Sequence, residues 1–597
     1  MNYLNPIYTE KRECEDCYKC VRNCPVKAIK VEGGCATIIS ELCIYCGQCV
    51  EVCPNGAKRV RDDLPQARQL LSLKPRVLVS LAPSFVTEFP DWKPAQLIQA
   101  LKRLGFFGVS ETALGAQQVS AQAAARLSAE PGRVFFSSAC PTVVSFVQKY
   151  RPEDSRFLTS LLSPLLTHCK MLRQEFGSDI GTVFIGPCIG KKLEAVQHPE
   201  LLDVSLTFED LRRWLDQEKL EPGKLAESPE DRFIPEPAAE GAWYPVDGGM
   251  IAGMKSVCAV NDCSFMAFSG INAIEKAITG LGDQPPRGGL FLELLACEGG
   301  CVNGPRVRNR AGTAAKRCRV LQYGRPPETA LPRESNLDIQ SSFAVVPPPQ
   351  AKYPEAQIRE ALRQVGKLTR DDELNCGGCG YDSCREFAAA LIHQKAERSM
   401  CVTYMRKLAL KKANALIQKM PSAVVIVNEA MRILEFNAAF AKMFGRSADA
   451  PPAGSDTALI ARSVDSPATL EGIMLSEVTP FAPLFHSVLK SGEDILDRDL
   501  RYKSTILHAT IFTIERHCVV GGILQDITEP AVRKAEVIRK AQEVIQRSLH
   551  TTQQIACLLG ENAAESEITL NSIIESFSPA KPDEPKSDND WRKLYKP

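Results

Sequence analysis

The sequence predicts a multidomain protein in which an α/β layer domain is combined with smaller α+β modules. Three observations predict this class. The chain has 597 residues, a length that corresponds to about four domains. Between Arg76 and Arg325, strand-like apolar runs alternate with helix-like segments, which is typical of layers built on mostly parallel strands. The 23 cysteines gather in short, regularly spaced motifs, which indicates metal ligation more than disulfides.

Composition excludes several classes of function. With 72 basic and 71 acidic residues, the chain has almost no net charge, so it lacks the positive electrostatic potential that would attract nucleic acid or an anionic membrane. The first residues carry charges before any apolar run, unlike a signal peptide, and no apolar span approaches the roughly 20 residues that cross a bilayer. We therefore expect a cytoplasmic protein of a reducing, anoxic cell, without nucleic-acid or membrane partners.

Residues 1–73 contain the run C-x2-C-x2-C-x3-C-P twice. Such a run places three thiolates on one cubane, and its fourth cysteine binds the other cubane. The expected ligand sets of two [4Fe–4S] clusters are Cys14, Cys17, Cys20 and Cys53, and Cys43, Cys46, Cys49 and Cys24. Zinc sites and disulfides are the alternatives, but zinc motifs do not normally repeat a three-cysteine run with a fourth cysteine before proline. We expect a ferredoxin-like 2[4Fe–4S] domain that conducts electrons.

Three further cysteine motifs lie in residues 74–325: Ser137–Pro141, Gly186–Lys192 and Glu293–Pro305. Each follows a short apolar run, which predicts a buried strand that ends in a loop. Loops after parallel strands converge at the carboxyl edge of a sheet. Four thiolates from such loops suit one buried iron–sulfur cluster, and the motifs supply Cys140, Cys188, Cys297 and Cys301.

Together these motifs resemble those of the [FeFe]-hydrogenase catalytic domain, whose usual forms are TSCCP, MPCxxKKxE and ExMxCxxGC. The resemblance implies a two-lobed α/β domain over 74–325 with an H-cluster between the lobes. In that centre a [4Fe–4S] cluster on the four cysteines is joined, through Cys301, to a two-iron subsite with carbonyl and cyanide ligands. Lys191 matches the lysine that hydrogen-bonds a cyanide, although a solvated lysine is the alternative. Glu194 and Glu293 match the motif glutamates.

Two departures from the family pattern bear on proton transfer. Ala139 occupies the position where catalytic members carry a free thiol, and the helix segment Gln117–Ala123 lacks the acid expected there. Because a general acid–base relay is worth about 100- to 10,000-fold in rate, the resemblance implies low turnover, as in the sensory branch of the family. Cys169, on a helix expected over Leu158–Phe176, is a candidate substitute proton group.

Proline is dense over 326–355, which predicts a linker or an extended strap. Residues 356–412 then carry C-x2-C-x4-C and a later cysteine, with glycines that let the backbone wrap closely around a cluster. This pattern resembles the small [4Fe–4S] domain of several anaerobic electron-transfer and corrinoid proteins. The expected ligands are Cys376, Cys379, Cys384 and Cys401, and zinc is the alternative.

Residues 413–530 resemble a PAS domain. Strand-like runs flank a short helix, and Asp526-Ile527-Thr528 matches the exit motif of that family. Its histidines follow no haem or flavin motif.

Residues 531–577 predict a helix whose rough heptad stripe favours a homodimer, the alternative being a helix packed on its own domain. His550 invites comparison with a phosphoacceptor, but no nucleotide-binding segment follows it. Residues 578–597 predict a disordered tail.

The resemblance leads to a sensory [FeFe]-hydrogenase that binds and slowly oxidises H2, and passes the redox state through three [4Fe–4S] clusters and the PAS domain. Expected partners are H2 and protons, ferredoxin or another redox partner, a signalling kinase or phosphatase, and the maturation proteins that build the two-iron subsite. A bidirectional hydrogenase linked to ferredoxin is one alternative, and turnover with reduced ferredoxin separates it. A non-catalytic iron–sulfur scaffold is the other, which Lys191 and the PAS domain disfavour.

Overall fold

The structure of the chain is a computed structural model. It describes residues 5–257, 263–282, 288–324, 337–349, 352–444 and 470–528, together with 543–544 and 546–547. The chain divides into two compact units, Met1–Met400 and Cys401–Pro597. The predicted disordered tail lies outside the described residues, as does all of the predicted C-terminal helix except those last four positions. No helix within the described ranges combines the length and apolar character that a membrane span needs.

The first unit contains eleven strands and fifteen α-helices among its described residues. The strands are β1 Ile7–Thr9, β2 Ile29–Glu32, β3 Cys35–Ile38, β4 Lys58–Val60, β5 Val77–Leu81, β6 Gly108–Glu111, β7 Val134–Phe136, β8 Gly181–Gly186, β9 Val204–Thr207, β10 Cys263–Ser269 and β11 Gly289–Leu295. The helices are α1 Lys19–Arg22, α2 Gln48–Glu51, α3 Leu64–Leu73, α4 Phe85–Glu88, α5 Pro94–Arg103, α6 Thr112–Ala129, α7 Pro141–Tyr150, α8 Pro164–Phe176, α9 Gly190–Gln197, α10 Phe208–Gln217, α11 Gly249–Val257, α12 Ile271–Ile278, α13 Thr313–Tyr323, α14 Glu355–Arg363 and α15 Cys384–Ile392.

The N-terminal domain folds as two similar halves, one around each cysteine run. Strands β1 and β4 pair antiparallel, as do β2 and β3. The runs repeat the same backbone path, because Asp16 and Tyr45 occupy matching positions and both have a φ of 55°. The caps of α1 and α2, Tyr18 and Gly47, also have positive φ, 54° and 83°. The internal repeat of the sequence is therefore a repeat of conformation.

The first lobe of the next domain is a four-stranded parallel sheet in the order β6-β5-β8-β9. Every residue of β5 and β8 is buried, which is expected of parallel strands covered by helices on both faces. Strand β5 is one of the strand-like apolar runs predicted between Arg76 and Arg325. The predicted α/β class is confirmed in this lobe.

Helix α8 begins at Pro164, so the prediction of a helix from Leu158 was wrong at its start. Ser163 caps the helix, since its Oγ accepts the Leu166 N–H at 3.4 Å, and proline is favoured at the first helical position. Before Ser163, Leu158 is bridged to Phe136 at the end of β7 and Leu161 is bridged to Gln340.

A buried histidine joins α8 to the sheet. The ring nitrogens of His168 lie 2.8 Å from Ser80 Oγ on β5 and 2.8 Å from Ser110 Oγ on β6. Burial lowers the pKa of His168 to about 3, so the ring is neutral in the folded chain. It is a satisfied core residue, as buried polar groups generally are.

The second lobe is a three-stranded parallel sheet in the order β10-β11-β7. Its core packs α7 and α12 against the strands, and it also includes Ile44, a residue of the second cysteine run. Tyr150 and Lys149 on α7 reach the same run, donating to Leu42 O at 2.6 Å and to Cys43 O at 2.8 Å. The N-terminal domain is thus docked on this lobe through both apolar and polar contacts.

The described part of the proline-rich segment, 337–349, follows an extended path along the first unit. Leu162 N donates to Ile339 O at 2.8 Å and Ser341 N donates to Ser160 O at 2.9 Å. Ile339 is fully buried in the first-lobe core. Of the two predictions for this segment, the extended strap describes these residues better than a free linker.

The second unit contains four helices and five strands among its described residues. They are α16 Val402–Lys419, β12 Ala423–Asn428, β13 Ile433–Phe436, α17 Ala438–Phe444, α18 Leu475–Val478, α19 Ala482–Ser491, β14 Ile495–Tyr502, β15 Thr505–Glu515 and β16 Val519–Asp526. The strands form one antiparallel sheet in the order β13-β12-β16-β15-β14. Phe440 and Phe485 pack with the sheet residues in its core.

Candidate functional site

The three cysteine loops of the α/β domain meet at one cavity. Cys140 follows β7, Cys188 follows β8 and Cys301 lies on the loop after β11. The cavity measures about 100 Å³, and all three of these cysteines line it. Because β8 belongs to the first lobe while β7 and β11 belong to the second, the cavity lies between the carboxyl ends of the two sheets.

The fourth thiol, Cys297, lies beside the other three. Burial raises the pKa of Cys297 well above its ordinary value, and the thiols that raise it further are Cys301, Cys188, Cys140 and Cys46. Burial likewise raises the pKa of Cys188 to about 11, with Cys140 adding to the rise. The four cysteines predicted from the loops are therefore neighbours in space.

This donor set fits an iron–sulfur cluster. Four thiolates enclosed by protein would repel one another, and a cluster of iron ions removes that penalty because thiolates are the ligands that such clusters take. Within the described ranges, no group of three or more His, Cys, Asp or Glu residues is close enough to hold a single metal ion. A four-iron cubane instead needs its cysteines arranged around a larger object.

Lys191, the second residue of α9, also lines the cavity. Its Nζ donates to Glu194 Oε2 at 2.7 Å and to Ser163 Oγ at 3.1 Å. Only 9% of the residue is exposed, which excludes the alternative of a solvated lysine. The ammonium is fixed by two polar partners at the edge of the cavity.

The positions that the resemblance assigns to proton transfer carry neither a thiol nor an acid. Ala139 and Ala116 of α6 line the cavity, and α6 contains no acidic residue. The Gln117 side chain accepts the Ala239 N–H at 3.0 Å and so is engaged in packing. Cys169 is buried in the first-lobe core and is not among the residues that line the cavity.

Sequence reasoning missed two polar residues in this region. Tyr244 lines the cavity, and burial raises the pKa of its phenol well above the ordinary value. Glu111, at the end of β6, accepts from Tyr323 Oη at 2.6 Å and from Ala238 N at 2.7 Å. Neither follows a motif or a hydrophobic period, so no local signal could have indicated them.

Glu293, a motif residue, accepts the Ile251 N–H at 3.1 Å, and burial raises its pKa to about 7.

Eight of the nine cysteines of the N-terminal domain, all except Cys35, form two spatial groups. Burial raises the pKa of Cys20 to about 11, and the thiols that add to this rise are Cys14, Cys17 and Cys53. Burial also raises the pKa of Cys49, and the thiols that add to it are Cys43, Cys46, Cys24 and Cys20. We refer to Cys14, Cys17, Cys20 and Cys53 as the Cys14 set and to Cys24, Cys43, Cys46 and Cys49 as the Cys24 set.

The Cys24 set adjoins the cavity. Cys46 adds to the rise in the pKa of Cys297, and the next residue, Gly47, lies against two of the cavity loops. A Cβ added to Gly47 would meet Pro305 Cβ at 2.6 Å and Ile189 Cδ1 at 2.8 Å. Glycine therefore serves here both for positive φ and for close approach.

The third cysteine motif spans the boundary between the units. Cys376, Cys379 and Cys384 belong to the first unit, and Cys384 N donates to Asn375 Oδ1 at 2.8 Å. Cys401 is the first residue of the second unit and precedes α16. The shared ligand role of these cysteines stays a prediction.

The PAS-like sheet carries its titratable residues on the outside. His508 on β15 lies 2.8 Å from Asp499 and 3.0 Å from Asp497, both on β14. His517 Nδ1 lies 3.0 Å from Leu489 O, and Cys518 is exposed. These contacts agree with ordinary surface roles.

Comparison with known families identifies four segments. Residues 71–305 match the model described as iron only hydrogenase large subunit, C-terminal domain. Residues 71–305 form an iron-only hydrogenase domain. Residues 36–59 match a 4Fe-4S binding domain, 372–403 a putative Fe-S cluster domain and 411–457 the PAS fold. The chain thus joins a hydrogenase domain to two iron–sulfur segments and a PAS fold. These matches confirm the predicted hydrogenase, iron–sulfur and PAS segments and indicate iron–sulfur cofactors.

Curated relatives are distant in sequence. Iron hydrogenase 1 of Clostridium pasteurianum is 26% identical over 295 residues, a match covering 41% of this chain and 51% of the relative. The periplasmic [Fe] hydrogenase large subunit of Nitratidesulfovibrio vulgaris is 24% identical over 369 residues, covering 50% and 86%. Among solved structures, an [FeFe]-hydrogenase variant from Chlamydomonas reinhardtii is 19% identical, with a TM-score of 0.35, covering 48% of this chain and 91% of that one. The chain spans about half the length of the first relative.

Proposed function

We propose that this chain is a sensory [FeFe]-hydrogenase, which binds H2, oxidises it slowly and passes the electrons towards its PAS domain. One observation carries the proposal: three cysteine loops and a fixed ammonium, Lys191, meet at a cavity where Ala139 occupies the thiol position. A PAS fold follows in the same chain. The cysteines and Lys191 that would hold the cluster are present, whereas alanine stands where a proton-carrying thiol is expected. This combination suits hydrogen detection better than fast hydrogen turnover.

The site residues of the proposal are those expected from the sequence. Cys140, Cys188, Cys297 and Cys301 would hold the [4Fe–4S] part of the H-cluster, with a two-iron carbonyl and cyanide subsite beside it. The Cys14 set, the Cys24 set and the third motif would each hold one [4Fe–4S] cluster. When bound, the H-cluster supplies hydrogen binding and electron exchange by the balance H2 = 2 H⁺ + 2 e⁻. The domain boundaries given above belong to the same proposal.

The residues that line the cavity would orient a bound ligand and keep its surroundings apolar. Lys191, held by Glu194 and Ser163, offers a donor to an anionic ligand at the cavity edge. Leu165 and Phe184 line the same cavity and keep it apolar, which strengthens polar interactions inside it. Ala139 neither accepts nor donates a proton, so proton exit from this side is slow.

A ferredoxin-linked bidirectional hydrogenase is the second candidate. The observation that favours it is the contact of the Cys24 set with the cavity loops through Cys46 and Gly47, which suits exchange with a soluble redox partner. The sensory proposal uses the same route and adds a signalling kinase or phosphatase as the partner. It also includes maturation proteins that install the two-iron subsite and a homodimer through residues 531–577.

Infrared spectroscopy of the full chain, matured in anoxic cells, tests the proposal. We expect carbonyl and cyanide bands that shift under H2, together with low turnover. Bands with fast turnover on reduced ferredoxin would favour the bidirectional hydrogenase. A fully iron-loaded protein without such bands, despite competent maturation, would leave a non-catalytic iron–sulfur scaffold.

A further inference from the structure

The loop 297–301, which supplies two of the four site cysteines, is attached to helix α13 through one amide side chain. Asn303 Nδ2 donates to Glu298 O within the loop at 3.1 Å and to Thr313 Oγ1 at 2.9 Å. Thr313 is the first residue of α13. The packing is close here, because a Cβ added to Gly299 would meet Asn303 Nδ2 at 2.7 Å and Thr313 Cγ2 at 2.9 Å. The position of the loop therefore depends on Asn303 and on the start of α13.

Lys316, one turn further along α13, is bound to the same amide. Its Nζ donates to Asn303 Oδ1 at 3.1 Å, and only 6% of the residue is exposed. Within the described ranges, no carboxylate forms an ion pair with this ammonium. Glu88 and Glu51 attract it from beyond ion-pair distance, and Glu88 is already paired with Arg212 at 2.8 Å. Burial lowers the pKa of Lys316, so the protein groups described around it do not fully replace water.

Three other cations near the cavity loops have acidic partners. The pairs are Lys191 with Glu194, Arg306 with Glu209 and Arg317 with Asp247. Each of these charges is balanced locally by a carboxylate, whereas the charge of Lys316 is not. A buried cation without a partner is costly, because it loses its hydration on folding. A cluster bound by the loop would supply the missing negative charge, since four thiolates outweigh the positive charge of an iron–sulfide core.

We propose that Lys316 is the counter-charge of the cluster on the four site cysteines, and that it raises the reduction potential of this cluster. Lys316 is a positioning residue, which acts by its charge and through Asn303. Each electron that a cluster takes up adds a negative charge, and a nearby cation stabilises the reduced form more than the oxidised form. The inference rests on the proposed function for the presence of the cluster. It deepens that function, because a cluster of higher potential accepts electrons at a lower H2 pressure.

A redox titration of the full chain, followed by electron paramagnetic resonance, tests the counter-charge. The chain is loaded with iron and sulfide without maturation proteins, so the measurement does not depend on the two-iron subsite. The signal of this cluster is the one that Cys297→Ser removes. Lys316→Met should lower the ratio of reduced to oxidised cluster at a fixed potential about tenfold. For one electron, this change corresponds to a potential that is more negative by about 59 mV.

Two further variants separate the charge of Lys316 from a purely structural role. Lys316→Gln offers Asn303 a donor without a charge, so it should lower the ratio as much as Lys316→Met does. Arg319 lies on the same helix and is exposed. Arg319→Met is the matched control, which removes one positive charge from α13. It should leave the ratio within about twofold of the parent, because solvent and salt screen an exposed charge.

The outcomes separate the counter-charge from the proposed function. An unchanged ratio in both Lys316 variants would overturn the counter-charge, as would an equal shift in Arg319→Met. A parent-like ratio in Lys316→Gln alone would also overturn it, because a neutral donor would then be sufficient. The absence of any signal that depends on Cys297 would overturn the inference together with its cluster. If the shift is found but H2 reduces no cluster in the matured chain, the hydrogenase function fails and the role of Lys316 stands.

Discussion

Two adjacent lysines of α9 have different roles because their side chains face different surroundings. Lys191 lines the cavity and is held by Glu194 and Ser163. Lys192 is fully buried and donates to Asp63 Oδ2 at 3.0 Å, to Ser205 O at 3.0 Å and to Asp210 Oδ2 at 3.2 Å. The first lysine serves the site, whereas the second joins α9 to the sheet and to the entry of α3.

Lys192→Met should destabilise the first unit strongly. The change leaves two buried carboxylates, Asp63 and Asp210, without their ammonium, and breaking a buried ion pair costs about 3–5 kcal/mol. Denaturant unfolding of the anoxic protein measures this loss. Arg213 on the exposed face of α10 also pairs with Asp210, so Arg213→Met is the control and should cost about 1 kcal/mol or less. Equal losses in the two variants would contradict the buried role.

Ala139→Cys should raise hydrogen turnover. The new thiol would face the cavity and could carry a proton, and such relays are worth about 100- to 10,000-fold at most. The measurement is hydrogen evolution from reduced methyl viologen with protein of equal H-cluster content. Ala139→Ser has a similar volume without an acidic thiol and should gain less. A parent chain already as fast as Ala139→Cys would show that protons leave by another route.

His168 should make stability depend on pH. Its folded-state pKa of about 3 lies below its ordinary 6.5, so between these values the unfolded chain binds the additional proton. The contribution of His168 to the free energy of unfolding is therefore complete above pH 6.5. It falls by about 1.4 kcal/mol per pH unit as the pH decreases from there towards 3. Unfolding at pH 7 and pH 5.5 should show this slope, and His168→Asn should reduce it by that amount. An unchanged slope in the variant would contradict the neutral buried ring.

At the scale of elements, strand ends and short helices bring the redox groups together. Strands β7, β8 and β11 end at one cavity, and α7 begins directly after Cys140. The far end of α7 holds the second cysteine run through Lys149 and Tyr150. One helix therefore contacts both the cavity and the segment that carries Cys43.

Gly47→Ala should loosen the docking of the N-terminal domain. The added methyl would overlap Pro305 and Ile189, and the positive φ adds strain of about 1 kcal/mol. We expect slower reduction of the Cys24-set cluster under H2, measured by freeze-quench paramagnetic resonance. Gly56→Ala is the control, since its φ is 64° and nothing lies within 4 Å of the new methyl. If both variants slow electron transfer equally, strain rather than contact is responsible.

At the scale of the whole molecule, the chain is two compact units with different sources of stability. The first contains the cysteine motifs from Cys14 to Cys384, and the second has an apolar PAS core around Phe440 and Phe485. Clusters stabilise only the state that binds them. The two units should therefore respond differently to loss of iron.

Calorimetry should show two transitions, because separate cores unfold separately. Removal of iron by a chelator under oxidising conditions should lower the temperature of one transition and leave the other within error. A fragment beginning at Met420, which contains the described PAS strands, identifies the unaffected transition. A single transition that shifts as a whole would contradict independent units.

Several elements were predictable because their determinants are local. Strand β5 is a short apolar run, and the strand-like runs predicted on either side of a short helix in 413–530 are strands of the PAS-like sheet. The start of α8 was misplaced because Leu158 and Leu161 follow a helical period, but they form isolated bridges with Phe136 of β7 and with Gln340 instead. Helix α16 was not foreseen as a separate element, since no buried residue marks a periodic face in it.

The sequence by itself determined the chemistry of the molecule. The sequence alone gives the cysteine spacing, the short motifs and the alanine at position 139. The type of metal ligand follows directly from the cysteines. Only the tertiary structure decided which residues lie close together: Gly47 lies against Pro305 and Ile189, Gly380 lies against α1, and Tyr244 lines the cavity. Such contacts join residues far apart in the chain, and they depend on packing at sub-ångström clearance. No local pattern carries that information.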